Sequence, residues 1–329
     1  MKDTNEPNQM RMRHYTERTP LWLRRFTKLV AASTLFLIFA GAMVTSTGSG
    51  LAVPDWPLSY GMLMPPMVGG IFYEHGHRMI ATAVGILTII QAVWLQKREP
   101  KRFVRVLGWT ALGAVVVQGL LGGITVLLLL PKAVSVSHAG LAEIFFAINV
   151  SIAFFTSEWF YNLRAMEKGR APVGLTTFFA AAVYVQIIAG AVMRHLGAGL
   201  AIPDFPLSFG RLVPEFANGS IVSAFVHRAG GFTVGFLAIA VVISLLRYEA
   251  GHPLRGLANI LLVVVAAQIL LGGYVIWSGK QAHITSLHVM IGASTWALSV
   301  VLALAARTLA WKKVAADEPA GYAGREVTA

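Results

Sequence analysis

Eight long apolar runs limit what this chain can fold into more than any other feature of its sequence. About 20 apolar residues in a helix are needed to cross the hydrocarbon core of a bilayer. Backbone polar groups in lipid must be hydrogen-bonded within the protein, which favours helices over open strands. The sequence therefore predicts an all-α membrane protein with eight transmembrane helices. The predicted spans are approximately residues 29–46, 78–96, 105–130, 138–160, 173–193, 222–246, 256–277 and 285–310.

The composition excludes the common soluble classes of protein. Only 13% of the 329 residues are charged and 56% are hydrophobic, whereas an ordinary soluble domain has about 25% charged residues. The formal net charge of +12 therefore indicates contact with anionic lipid rather than with nucleic acid. The chain contains no cysteine, which rules out disulfides, thiolate metal ligands and a covalently attached c-type haem.

The basic residues predict how the chain is oriented. Twenty-one of the 27 lysines and arginines lie in the N-terminal segment, in alternate loops or at the C-terminal end, and only four lie in the opposite loops. By the positive-inside rule both termini are cytoplasmic. We therefore expect a multi-pass protein of the cytoplasmic (inner) membrane, with a retained cytoplasmic segment at 1–28 and a cytoplasmic tail at 311–329.

The chain also contains an internal repeat at an offset of 149–150 residues. Residues 41–65 align without gaps to residues 190–214, with 14 identities in 25 positions. Each half contains four spans, and because four is an even number both halves enter the membrane from the same side. The sequence therefore predicts two pseudo-symmetric, parallel-repeat four-helix bundles, at 29–165 and 173–310.

Four of the nine histidines recur in this repeat, two in each half. A lone histidine at a helix end is usually a hydrogen-bonded interface residue, but ionisable groups in membrane spans point to function. Zinc needs at least three protein ligands, whereas two axial imidazoles suit a haem iron, whose porphyrin supplies four donors. The pattern therefore predicts metal ligation through two haem groups. The four candidate ligands are His77, His138, His227 and His288.

The residues beside these histidines differ between the halves at one position. Glu74 precedes His77 by three residues and shares its helix face, but Ala224 occupies the equivalent position in the second half. One reading is a carboxylate beside one metal centre only, which would make that centre the reactive one; the other is an exposed loop residue. His75 is expected to be a surface residue.

Two further features surround the same sites. Arg78 and Arg228 follow a candidate ligand directly and would pair with haem propionates or extend to lipid headgroups. A Pro-Asp-aromatic-Pro loop occurs in both halves, around Asp55 and Asp204. It is either a rigid lid over the pocket or a turn that closes the bundle. We expect both aspartates to bind local backbone amides rather than to act as acids.

Taken together, these motifs resemble the haem A synthase family over nearly the whole chain, from about residue 25 to 310. The resemblance rests on Glu74-x-x-His77-Arg78, the duplicated loop and the four histidines in register. It implies an enzyme that oxidises a methyl group of haem O to a formyl group by successive hydroxylations, making haem A for cytochrome oxidase.

The resemblance also assigns the candidate residues. It implies that His227 and His288 bind a resident haem b, while His77 and His138 face the substrate haem O, with Glu74 as the essential carboxylate. Haem O synthase and an electron donor are the expected partners, and the oligomeric state stays open. The absence of cysteine departs from members that carry a cysteine pair in an outer loop, so a thiol-dependent step is excluded here.

Two alternatives remain open from the sequence. A non-enzymatic di-haem b-type cytochrome that carries electrons would explain the four histidines equally well but gives Glu74 no role. A transporter built from parallel repeats would need broken helices and polar groups near the middle of the bilayer. The sequence shows little of either, because its polar residues cluster towards the outer ends of the spans.

Overall fold

The computed structural model describes residues 18–166 and 171–316. Within these ranges the chain forms α-helices joined by turns and loops, with no β-strand. We number the helices α1 to α9 in chain order. They are α1 (Leu21–Ser46), α2 (Gly69–Arg98), α3 (Arg102–Leu127), α4 (Lys132–Thr156), α5 (Glu158–Ala165), α6 (Val173–His195), α7 (Gly219–Leu245), α8 (Pro253–Trp277) and α9 (Ala282–Ala316).

All eight predicted spans are confirmed as helices that are long and apolar enough to cross a membrane. Most of them begin several residues before the apolar run, as α1 does at Leu21. The additional helix α5 is short and polar, and it begins where the Ser157 hydroxyl accepts a hydrogen bond from the Phe160 N–H (3.1 Å). Most of the predicted N-terminal segment and of the C-terminal tail lies outside the described residues.

The helices pack as two rings of four. In the first half, α1 contacts α2, α2 contacts α3, α3 contacts α4, and α4 returns to α1. In the second half, α6, α7, α8 and α9 form the same ring. The rings meet through α1 and α4 on one side and α6 and α9 on the other, an arrangement consistent with the predicted repeat.

The two larger clusters of buried apolar residues lie at the same end of the two rings. We call the end that carries the two repeated loops the loop end and the opposite end the terminal end. Buried residues such as Leu95 and Val104 in the first ring, and Leu245 and Leu254 in the second, hold the helices together at the terminal end. A smaller apolar cluster around Ile202 lies at the loop end of the second ring, so hydrophobic burial stabilises the bundles mainly at the terminal end.

Several polar side chains are nevertheless buried well inside the helices. Gln91 of α2 donates a hydrogen bond to the side chain of Asn149 in α4 (2.8 Å), and Glu143 of α4 is 4% exposed. The expectation that polar groups cluster towards the outer ends of the spans is therefore incomplete. The eight spans themselves are continuous helices, unlike the broken helices that a transporter of this kind would use.

Candidate functional site

The four repeated histidines lie at equivalent places in their helices, all towards the loop end. His77 and His227 are each the ninth residue of α2 and α7, and His138 and His288 are each the seventh residue of α4 and α9. They lie about two turns inside the helices rather than at their starts, because these helices begin before the apolar runs do. Each ring of helices therefore brings one histidine from its second helix and one from its fourth towards a shared interior.

The pair in the second ring has the spacing that a shared metal ion requires. The ring centroids of His227 and His288 are 6.4 Å apart, with the ring planes at 85°. A nitrogen ligand binds a transition metal at about 2 Å and the imidazole centre lies about 1 Å further away, so axial imidazoles on one iron have centroids about 6 Å apart. The centroid distance of this pair therefore matches that of two imidazoles that share one iron.

In the first ring, His77 and His138 are also close enough for their charges to interact. No group of three or more histidine, aspartate or glutamate side chains that could hold a metal ion occurs within the described ranges. A zinc site would need such a group. Two histidines for each site therefore fit a metal whose remaining donors come from a bound macrocycle.

Each histidine ring lies against a glycine of the helix before it. A Cβ added at Gly190 would lie 2.7 Å from Cε1 of His227, and one added at Gly272 would lie 3.1 Å from Cε1 of His288. The first ring repeats this arrangement, with Gly41 against His77 at 3.0 Å and Gly122 against His138 at 3.2 Å. These four positions have no side chain, and this leaves the space that each imidazole ring occupies in the bundle.

Glutamine side chains fix the helix backbone beside the histidines. Gln118 donates a hydrogen bond to the carbonyl oxygen of His138 (2.9 Å), and Gln268 does the same for His288 (2.8 Å). Among the described residues, Nδ1 of His77, His138 and His288 is buried with no hydrogen-bond partner. A buried polar atom needs a partner, so these rings are suited to ligands other than protein groups.

Two of the four histidines, His227 and His138, have a glutamine side chain beside a ring nitrogen. The side-chain nitrogen of Gln186 in α6 lies 3.1 Å from Nδ1 of His227 and donates to its carbonyl oxygen (2.6 Å). The side-chain nitrogen of Gln118 in α3 lies 3.4 Å from Nε2 of His138, and Leu37 occupies the position of Gln186 in the first half. Hydrogen bonds to a ring nitrogen of a metal-binding imidazole orient the ring, so the two sites differ in which histidine a glutamine orients.

We expect Gly190→Ala to weaken haem binding in the second ring about tenfold or more, the size of effect usual for supporting residues of a metal site. The added methyl group would lie too close to His227 and must displace its ring. The measurement is the haem-to-protein ratio of purified protein from its visible absorption spectrum. Gly174→Ala is the matched control on the same helix, because a Cβ there meets nothing within 4 Å. Equal haem content in both variants would contradict this role for Gly190.

Glu74 is buried in α2 and both of its carboxylate oxygens have partners. Oε1 accepts a hydrogen bond from the Arg78 guanidinium (2.6 Å) and Oε2 accepts one from the backbone N–H of Val53 (2.8 Å). The alternative that Glu74 is exposed in a loop is therefore wrong, since only 4% of the residue is accessible. The carboxylate lies three residues from His77 and links the helix to the repeated loop.

The two arginines are tied to the repeated loops by different groups. Besides Glu74, Arg78 donates to the backbone carbonyls of Asp55 (2.7 Å) and Leu58 (3.0 Å). Arg228 donates to the carbonyl oxygen of Leu207 and to the hydroxyl of Ser208 (3.2 Å). Both guanidinium groups therefore lie at the mouth of a bundle, but only Arg78 has a buried carboxylate partner.

The expectation that His75 lies on the surface is wrong. The residue is 6% exposed, and its Nδ1 lies 2.8 Å from the hydroxyl oxygen of Ser59 in the repeated loop. Helix α2 begins at Gly69 rather than near residue 78, which places position 75 inside a helix that the loop covers. Phe225 occupies the equivalent position in the second half.

The two aspartates of the repeated loops bind backbone amides, as predicted. The carboxylate of Asp55 accepts hydrogen bonds from the N–H groups of Tyr60 (2.6 Å) and Gly61 (2.8 Å). Asp204 makes the same pair of bonds to Phe209 (2.7 Å) and Gly210 (2.8 Å). The amide of Gly61 and then that of Tyr60 lower the pKa of Asp55, and the amides of Gly210 and Phe209 do the same for Asp204. Both aspartates therefore stabilise loops as charged groups and do not supply protons.

Each loop also places an aromatic ring beside the histidine pair. A Cβ added at Gly123 would lie 2.7 Å from the Trp56 ring, and one added at Gly273 would lie 2.6 Å from the Phe205 ring. These glycines directly follow Gly122 and Gly272, which contact His138 and His288. In each half the aromatic ring of the loop and the histidine ring therefore contact adjacent glycines of one helix. Each loop thus covers the end of its histidine pocket.

Arg194 joins the two halves at the loop end. Its guanidinium donates to the carbonyl oxygen of Ala42 (3.0 Å) and to the hydroxyl of Ser46 (2.7 Å), both on α1. No carboxylate pairs with Arg194 in the part of the chain that the structure describes. Neither Arg194 nor Gln186 was predicted as a site residue from the sequence. Thr45 and Leu37 occupy their positions in the first half, and that mismatch was the available signal.

Comparison with known families agrees with this geometry. The sequence model of the COX15-CtaA family, described as "Cytochrome oxidase assembly protein", matches residues 67–300. The match therefore contains all four histidines, Glu74 and the second repeated loop.

Curated relatives named "Heme A synthase" match most of the chain. The protein from Symbiobacterium thermophilum is 31% identical over 258 residues, covering 76% of this chain and 84% of the relative. The relative from Alkalihalophilus pseudofirmus is 28% identical over 275 residues, or 82% and 92% of the two chains. The relative from Geobacillus kaustophilus is 27% identical over 315 residues, or 92% and 97%.

Proposed function

The chain belongs to the COX15-CtaA family of cytochrome oxidase assembly proteins, and we propose that it is a haem A synthase. In this function it oxidises a methyl group of haem O to a formyl group by successive hydroxylations. The observation that carries the proposal is the pair of two-histidine sites, of which one has a buried carboxylate and the other does not. The names of the matching relatives support the same function.

The second ring is suited to a resident cofactor. The 6.4 Å separation of His227 and His288 would let both imidazoles hold one haem b, and such a haem would supply one-electron chemistry when bound. Gln186 and Gln268 hold the backbone and, at His227, the ring itself. Arg228 lies at the mouth of this bundle, where it is suited to bind a haem propionate. With Ala224 in place of a carboxylate, this site holds its ligand without acting on it.

The first ring is suited to the substrate. His77 and His138 take the equivalent positions, but Leu37 stands where Gln186 lies beside His227 in the second ring. His77 therefore has no glutamine of the preceding helix on its ring, which suits a ligand that must enter and leave. Arg78 lies where it can bind a propionate of haem O, in the same way as Arg228 in the other ring.

Glu74 is the residue we assign to the chemistry. Its carboxylate lies on the same face of α2 as His77, in a buried position where charge interactions are strengthened. Oxidation of a methyl group creates positive charge at carbon and releases protons, and a carboxylate can stabilise that charge or accept a proton. Before the reaction, hydrogen bonds from Arg78 and from the Val53 N–H hold the two carboxylate oxygens of Glu74 in place.

The repeated loops exclude water from the two sites. Trp56 and Phe205 pack on the glycines next to the histidine pockets, and the aspartates fix the turns that carry them. A closed, dry site protects a reactive intermediate from side reactions. We therefore assign the loops a lid function rather than that of a simple turn.

The basic loops support an orientation with both termini in the cytoplasm and the two lids on the opposite side of the cytoplasmic membrane. In this orientation haem O from haem O synthase would reach the first ring from the bilayer. The partners we propose are haem O synthase and an electron donor.

The test is to express the chain together with a source of haem O and to identify the extracted pigments by mass. We expect haem O to be converted to a product with the mass of the formyl compound, while the purified protein retains haem b. Unchanged haem O in a protein that binds haem b would support the electron-carrying cytochrome instead. A purified protein with no haem absorption would contradict both and favour the transporter.

A further inference from the structure

A second acidic residue lies within the membrane-spanning helices, and the function described above does not use it. Glu143 is the twelfth residue of α4 and is 4% exposed. A rise of 1.5 Å for each residue places it about 17 Å from the start of a helix about 38 Å long. Glu143 is therefore close to the middle of the bilayer.

No cation neutralises this carboxyl group in the described ranges of the chain. Neither the ion pairs nor the side-chain hydrogen bonds of these ranges include it, and its Oε2 is buried with no hydrogen-bond partner. An unpaired carboxylate is costly to bury at this depth, and the cost is avoided when the group carries a proton. Glu143 therefore lacks the ion-pair partner that Glu74 has in Arg78.

Glu143 lies where the two rings of helices meet. The indole N–H of Trp296, on α9, donates a hydrogen bond to the backbone carbonyl of Glu143 (2.9 Å). Tyr184, on α6, packs against Trp296 with ring centroids 5.3 Å apart and is close enough to interact with the charge of Glu143. The carboxyl group is thus at the contact of α4 with α6 and α9.

These helices carry one histidine of each site. Glu143 is five residues, or about 8 Å along the axis, from His138, and Trp296 is eight residues, or about 12 Å, from His288. The charge of Glu143 would therefore act across a low-dielectric interface on an iron in either ring, and the second ring is the one that holds the resident haem in the proposed function. Tyr184 of α6 lies beside Glu143, with its hydroxyl donating to the carbonyl oxygen of Gly140 (3.3 Å). In the described ranges no ion pair or hydrogen bond joins the Glu143 carboxyl group to a side chain of α1, α3, α5 or α9.

The symmetry-related side of the contact between the rings has no such cluster. Ala293 occupies the position equivalent to Glu143, Leu35 that of Tyr184 and Phe146 that of Trp296. If the cluster served only to pack one ring on the other, the repeat would need it on both sides of the contact. Its presence on one side only parallels the difference between Glu74 and Ala224.

We propose that Glu143 takes up a proton when the iron held by His227 and His288 is reduced and releases that proton when the iron is oxidised. The electron comes from a one-electron reductant (in the titration below, dithionite acting through soluble mediators) and the proton from the solvent, so that the positive charge lost at the iron is matched by the negative charge lost at the carboxylate. Glu143 thus compensates the change of charge at the iron from its position between the two rings. It is a positioning residue and does not touch the substrate. The proposal depends on the proposed function only in requiring haem b at this histidine pair.

The test is a redox titration of the purified protein with its resident haem at a series of pH values. We expect the midpoint potential to fall as pH rises in the unmodified protein, because reduction is coupled to proton uptake, and to fall much less in Glu143→Gln. Glu249→Gln is the control, since Glu249 is exposed and lies at the terminal end; it should behave like the unmodified protein.

Infrared difference spectroscopy of the same samples gives a second measurement. We expect reduction to produce a carboxylic-acid C=O band that shifts in D₂O, moves in Glu143→Asp and is missing in Glu143→Gln. An equal pH dependence in Glu143→Gln, or no such band in the unmodified protein, would overturn the proposal even if haem A is made. Failure to convert haem O in a protein with this band would contradict only the proposed function.

Discussion

Replacing His288 with alanine is expected to remove nearly all haem b from the purified protein. His288 and His227 face each other with ring centroids 6.4 Å apart, and loss of one axial ligand removes half of the protein's bonds to the iron. Any haem that remains would be bound by His227 alone, with a spectrum different from that of a haem with two imidazoles. The measurement is the haem-to-protein ratio and the absorption spectrum of the oxidised and reduced protein.

His283→Ala is the matched control for this experiment. His283 is exposed on the same helix, five residues before His288, and has no counterpart in the repeat. We expect this variant to keep its haem. His138→Ala tests the other ring and should retain haem b while losing the conversion of haem O. Loss of haem b in the His138 variant but not in the His288 variant would show that we have exchanged the two rings.

Replacing Glu74 with glutamine is expected to lower haem A formation about 100- to 1,000-fold, the effect of removing one electrostatic contact in a transition state. Glutamine is nearly the same size and can still accept the hydrogen bond from the Val53 N–H, but it cannot carry the charge. Glu74→Ala should be about equally inactive. The measurement is the ratio of haem A to haem O in extracts, with the haem b spectrum recorded in parallel.

Three controls separate chemistry from folding in this experiment. Loss of Glu74 leaves the Arg78 charge without its buried partner, which destabilises a protein, so the yield of purified protein must be compared. Glu215→Gln removes an exposed acid that also pairs with an arginine and should leave haem A formation unchanged. If Glu74→Gln retained most of the activity that Glu74→Ala loses, the residue would be a support for the repeated loop and not part of the chemistry.

The comparison of the two rings explains how a duplicated protein can carry out one reaction. Each ring has the same glycines, histidines and loop, so each can hold the same kind of flat ligand. The differences that bear on the chemistry lie next to the histidines: Glu74, which pairs with Arg78, in the first ring, and Gln186 at His227 in the second. The first ring therefore contains the carboxylate, and the second contains the glutamine that orients His227.

Much of this could be predicted from the sequence alone. The eight spans follow from the length of the apolar runs, and the repeat follows from identities at a fixed offset. Because both halves place histidines at the same positions, the four candidate ligands and the contrast between Glu74 and Ala224 could also be identified. The amide contacts of Asp55 and Asp204 were predictable as well, because they form within a few residues of the chain.

The remaining features depend on which helix faces meet, and this is not encoded in any local pattern. Gln186 reaches His227 across 41 residues of sequence, and Arg194 reaches α1 across about 150 residues. His75 is buried only because a distant loop folds over α2, and Glu143 is unpaired only because α6 and α9 bring no cation to it. The sequence determined the spans, the repeat and the histidines through hydrophobic length and periodic identity. Only the tertiary structure decided which polar groups face one another, because that depends on the rotation and packing of whole helices.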